Sequence, residues 1–208
     1  MNSHHDYRQP MAINFDTTGL QPDPSKGPDS WIDPATGDGI ALQYCEGDPF
    51  EAAWMHDMAA LRRGFAHMYA KMGCLIEVEL VPLGNARAVH QLVKVPLPNA
   101  PAGQLFLSTF TLTKAGRYAQ LMRFMPETGI TGTREVMISQ RLGMPQDWVL
   151  PHPFDPGLES ALPFHRGDDP AWDPQFPDHP LSRARRWAAH VRRTAQVDPR
   201  WAALPELG

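Results

Sequence analysis

Four apolar segments separated by turn chemistry occupy residues 74–125, and they constrain the fold more than any other stretch of the chain. In the first, Cys74 to Val81, side chains alternate between two faces, so Ile76, Val78 and Leu80 are expected together, opposite Glu77 and Glu79. Pro82 and the Leu83-Gly84-Asn85 turn stop it, since Pro has no N–H for a ladder and Gly-Asn tolerates positive φ. The second segment, Arg87 to Val95, places Val89, Gln91, Val93 and Val95 against His90, Leu92 and Lys94. The third, Leu105 to Leu112, is apolar or β-branched at almost every position, which suits a central strand. Thr113 to Gly116 reads as a hairpin loop into the fourth strand, Arg117 to Met125. Such short loops join antiparallel neighbours, because a parallel crossover needs about a dozen residues or more. The segments predict a four-stranded antiparallel meander.

A helix is expected before it. Asp48 reads as the N-cap, Pro49 as N1 and Glu51 as N3, and Gly73 is the stop. Phe50, Trp54, Met58, Leu61, Phe65, Met68 and Met72 then form an apolar stripe to cover one face of the sheet. Upstream, Met11 to Phe15 and Gly39 to Tyr44 read as strands, the latter entering the helix, with a Gly/Pro/Asp-rich loop between them. Downstream, a Gly-Thr loop leads to a short helix, Arg134 to Leu142, ended by Gly143. Nine of the chain's 22 prolines then fall between 145 and 180, where Asp-Pro pairs and anchoring aromatics predict an extended, turn-rich segment. A last helix runs from Leu181 to about Gln196. The fold class is therefore α+β: a meander packed by a long helix, a shorter helix, and a Pro-rich extension ending in a helix. We divide the chain into a disordered tail (1–10), an α+β domain (11–143) and an extension packed on it (144–208), with Met11 a second candidate start.

At 208 residues with a net charge of −4, the chain argues against a dedicated nucleic-acid binder, though not against a local basic patch. It has no secretory signal pattern and no apolar run approaching 18 residues, so no membrane span is expected. Cys45 and Cys74 are the two cysteines, and a reduced, cytoplasmic setting is the plainer expectation.

Candidate chemistry is sparse. Arg183, Arg185, Arg186, Arg192 and Arg193 crowd the last helix with no acid before Asp198, which makes them candidates for binding a partner protein. The plainer reading is compensation by the acids just upstream. His152, His165 and His179, with Asp168, are the candidate metal ligands, because imidazole and carboxylate together bind zinc or iron. No HExxH or paired CxxC fixes them in place. Cys74 with His67 is a possible nucleophile pair, although a buried structural thiol is the simpler reading. His90 could meet Arg117 or Arg123 across the sheet, and Glu77 with Glu79 reads as a solvated pair. No phosphate loop or nucleophile elbow is present, and no cofactor is called for.

The element order over residues 11–143 resembles the PsbP-like α+β fold. The extension, with its His152-Pro-Phe-Asp-Pro and Phe176-Pro-Asp-His-Pro-Leu-Ser-Arg183 stretches, is similar to the tails of a group of uncharacterised bacterial proteins. The resemblance implies a non-enzymatic adaptor, chaperone-like subunit or immunity-type binder of another protein, by analogy with the fold. The alternative is a metal-dependent or small-ligand enzyme that uses the His and Asp residues of the extension.

Overall fold

The four expected strands are the centre of the molecule in a computed structural model that describes residues 11–208. The tail predicted for residues 1–10 lies outside the described residues. β1 (Ile13–Asn14), β2 (Gln21–Pro22), β3 (Ser30–Ile32) and β4 (Gly39–Glu46) precede helix α1 (Met58–Ala70). The meander follows as β5 (Cys74–Leu83), β6 (Ala86–Pro96), β7 (Gln104–Lys114) and β8 (Arg117–Pro126). After it come α2 (Thr133–Arg141), α3 (Pro180–Thr194), β9 (Gln196–Val197) and the short α4 (Pro199–Ala202). The fold is α+β. Its main sheet has seven strands in the order β2-β3-β4-β8-β7-β6-β5, and β1 pairs separately with β9. All the pairings are antiparallel. β4 does not simply lead into the helix, because it pairs with β8 along its whole length.

The first helix starts later than its sequence suggests. Ala52–His56 is a 3-10 turn, and the N-cap is Asp57, whose carboxylate accepts from the N–H groups of Ala59 and Ala60. The Asp48 carboxylate accepts instead from Gly116 N, pinning the β7–β8 hairpin. The turn lays the Trp54 ring on Gly64, where a Cβ would stand 2.1 Å from it. Gly64→Ala should therefore cost about 1–3 kcal/mol by overpacking, although Ala is the better helix former by about 1 kcal/mol. A midpoint shift in urea measures it. The expected stripe holds only in part. Leu61, Phe65, Ala66 and Ala70 are buried, whereas Met68 and Met72 are exposed and Tyr69 turns to the sheet, donating to Gln91 Oε1.

A bulge between Leu75 and Glu77 re-aims β5. Leu75 and Val78 pack under α1 with Val89 and Val93, but Ile76 crosses to the other face with Leu92, Phe106 and Leu181. The expected grouping of Ile76 with Val78 and Leu80 fails here, because an extra residue breaks the two-residue period. α3 covers that second face through Leu181, Ala184, Trp187, Ala188 and Val191. The segment after Gly143 adds five large buried apolar side chains to the core, Leu181, Trp187, Val191, Val197 and Trp201, each stabilising by about 1.5–3 kcal/mol.

Candidate functional site

Three cations from three elements converge on two consecutive short 3-10 turns, Arg166–Asp168 and Pro170–Gln175. Lys94 of β6 donates to Asp168 Oδ2 at 2.6 Å, with both side chains almost fully buried. Arg134 of α2 donates to Gly167 O, Ser182 Oγ and Asp173 Oδ1 at 3.1, 2.7 and 3.0 Å. Arg185 of α3 donates to Glu77, to Asp173 and, at 2.6 Å, to Asp168 O. The turns' carbonyls and carboxylates thus satisfy buried charge that would otherwise be prohibitive. Desolvation lowers the Arg134 pKa, and Asp173 opposes that shift.

This hydrogen-bonded segment forms one wall of a cleft of about 540 Å³, a size typical of small-ligand sites. Ile76, Leu142, Leu150, Phe164 and Trp172 give it apolar walls, and Glu77, His165 and Asp168 give it polar ones. The His165 ring is stacked on Trp148 with centroids 5.1 Å apart. Its backbone N–H donates to Asp168 Oδ2, while its buried Nδ1 has no hydrogen-bond partner. Burial pushes the imidazole down to about 4, against the pull of Asp168 and with help from Lys94, so the ring is neutral at pH 7.

The other candidates are dispersed. His152 is buried beside Phe154, and its Nδ1 accepts from Phe154 N. His179 caps α3, its Nδ1 accepting from Leu181 N at 3.2 Å, and its Nε2 points to Glu127 Oε1 at 3.6 Å. Among the described residues, the one group spaced to hold a metal is Glu127, Glu135 and His179, which leaves His152, His165 and Asp168 out. Its chemistry does not suit an ion. A metal on Nε2 needs the proton on Nδ1, where it would face the Leu181 N–H. The tautomer that accepts from Leu181 carries its proton on Nε2, towards the carboxylates. Desolvation of Glu127 works to raise its pKa, but His179 and the N–H groups of Gly132 and Gln104 outweigh it and hold the carboxyl below the usual range.

The arginine helix faces largely inward. Arg183 pairs with the fully buried Asp38, which also binds Arg123, and Arg185 and Arg192 pair with Glu77 and Glu79. Those two glutamates are therefore both ion-paired, Glu77 half-buried and Glu79 still exposed to solvent. Arg186 and Arg193 remain exposed, bonded to Pro177 O and His190. Arg123 is held by Asp33 and Asp38, while His90 contacts Ser108 at 3.0 Å, so the expected His–Arg contact does not form. Cys74 is a buried thiol pushed up to about 11 by desolvation, and His67 bonds Asp155. Sequence reasoning missed Lys94 and Arg134. For Lys94 there was a signal, a lone cation between Val93 and Val95 in an interior strand. Arg134 gave none.

A different surface stands out. Of the eight exposed large apolar side chains among the described residues, six fall between 130 and 149: Ile130, Val136, Met137, Leu142, Met144 and Val149. Val136 and Met144 line one shallow groove of about 300 Å³ with Trp148. Comparison of the chain with protein-family models and with curated proteins finds no match.

Proposed function

We propose that this protein is a non-enzymatic protein-interaction module that docks an apolar partner surface on α2 and the loop after it. The observation that carries the reading is the concentration of exposed apolar side chains at 130–149, since scattered ones are ordinary but a cluster of this kind marks a contact surface. Two of the six are methionines, whose flexible thioethers adapt to a partner's shape. The inward pairing of Arg183, Arg185 and Arg192 supports seeking the interface on α2 rather than on the basic helix, where only Arg186 and Arg193 stay exposed. No helix among the described residues is long and apolar enough to cross a membrane, so the apolar surface is not part of a spanning helix.

The test is capture from the native host with the full chain and two variants. A stoichiometric protein retained by Arg186→Glu/Arg193→Glu and lost, by at least tenfold in affinity, with Val136→Asp/Met144→Asp supports the reading. Light scattering on the purified chain shows whether the occupant is a second copy. Equal capture by all three forms refutes the α2 interface, and loss with the arginine variant alone returns it to α3.

A further inference from the structure

We infer that the cleft between β5, α3 and the 164–172 loop binds a small organic cation, an ammonium group carried on an apolar body. This goes beyond partner docking and shares only Leu142 with that surface. The argument begins with which hydrogen-bonding groups remain free. Every cation in or behind the wall is engaged: Lys94 by Asp168, Arg134 by Asp173, Arg185 by Glu77 and Asp173, and Arg166 by Asp147. An anionic ligand would meet guanidiniums whose charge is already opposed by a carboxylate, with Arg166 Nη1 the one guanidinium nitrogen in the lining that donates to no described residue.

Acceptors, by contrast, are spare. Asp168 uses Oδ2 for both Lys94 and His165 N, and Glu77 uses Oε1 for Arg185, so Asp168 Oδ1 and Glu77 Oε2 take no hydrogen bond from a described residue. Asp169 Oδ1 accepts from Ala171 N, and its other oxygen is likewise free. The lining holds three carboxylates, Glu77, Asp168 and Asp169, against two guanidiniums, Arg166 and Arg185. His165, only 5% exposed with Nδ1 unpartnered, adds no positive charge to oppose a cation. Phe164 and Trp172 bring aromatic rings to the same walls, whose faces attract ammonium groups, and Ile76 and Leu150 provide apolar surface for the ligand's body. A bare or hydrated ion would leave that apolar wall unused.

Calorimetry on the full chain with three probes of similar shape tests it: phenethylammonium, 2-phenylethanol and 3-phenylpropionate. The ammonium should bind with a dissociation constant below about 1 mM, the alcohol at least tenfold more weakly, and the carboxylate not measurably. Glu77→Gln and Asp169→Asn, neither in the deep core, should each weaken the ammonium by roughly tenfold or less and together by more than tenfold. Val136→Asp/Met144→Asp should leave it unchanged, which separates this cleft from the docking surface. No heat with the ammonium at millimolar concentration, tighter binding of the carboxylate, or indifference to both acidic substitutions would each overturn the assignment.

Discussion

Lys94→Met should lower folding stability by about 3–5 kcal/mol, the largest loss expected from any single substitution away from the hydrophobic core. The side chain is 1% exposed and its ammonium is the partner of Asp168 Oδ2 at 2.6 Å. Removing it strands a carboxylate that is itself 2% exposed and close to the apolar Cys74. Methionine matches the lysine stem in volume, so packing contributes little and the deficit reads the uncompensated charge. Adding Asp168→Asn should recover much of the loss, because the amide oxygen still accepts from His165 N while the charge is gone. Equilibrium denaturation of the two single variants and the double gives the coupling directly. Additive losses in the double variant would mean that the pair contributes nothing specific.

Acid should unfold this protein well before its carboxylates are fully protonated. His90 sits between the sheet and α3 at 2% exposure, and desolvation, aided by Arg192, pushes it down to about 3. His165 is pushed down to about 4 by burial, with Lys94 and Arg134 adding to the shift and Asp168 resisting it. Both folded-state values lie below the unfolded value of about 6.5. The unfolded chain therefore binds protons that the native state refuses, so stability is full above pH 7 and falls as pH drops from 6.5 towards 4. Each ring contributes a slope of up to about 1.4 kcal/mol per pH unit, on the order of 2–3 kcal/mol by pH 4. Urea midpoints at pH 7, 5.5 and 4 would show it, and His165→Phe should flatten the slope by about half. A stability independent of pH over this window would mean that both rings find water or a counter-charge when protonated.

Most of the meander and α3 were legible because they obey a local period, and α2 because a Gly-Thr loop and Gly143 bracket it, while the turns use Gly, Pro and Asn in the expected places. The start of α1 was not, because Phe50 and Trp54 continue the helical spacing through a 3-10 turn, while Asp48 and Asp57 are equally good caps on paper. The faces of β5 were misread for want of any sequence mark for a bulge at Ile76. The site was harder still. Arg183 finds Asp38, and Arg185 and Arg192 find Glu77 and Glu79, across more than a hundred residues of chain, so the upstream acids were the wrong first guess for most of the compensation. Only Asp173 among them takes a substantial part, bonding Arg134 and Arg185. The three histidines share composition and proximity in sequence, yet each serves a separate neighbourhood.

The pairing of Ile13 with Val197, reinforced by the Asp198 N–H on Ala12 O, has a consequence for synthesis on the ribosome. Ala12 and Ile13 are fully buried, and one side of their pocket is built from Val191, Ala195 and Val197. At about 5–20 residues per second, they wait roughly 10–40 s after emerging before that side exists. During that interval Ala12 and Ile13 lack β9, the only strand among the described residues with which β1 pairs. A stall late in translation would leave Ala12 and Ile13 without the strand and helix residues that bury them.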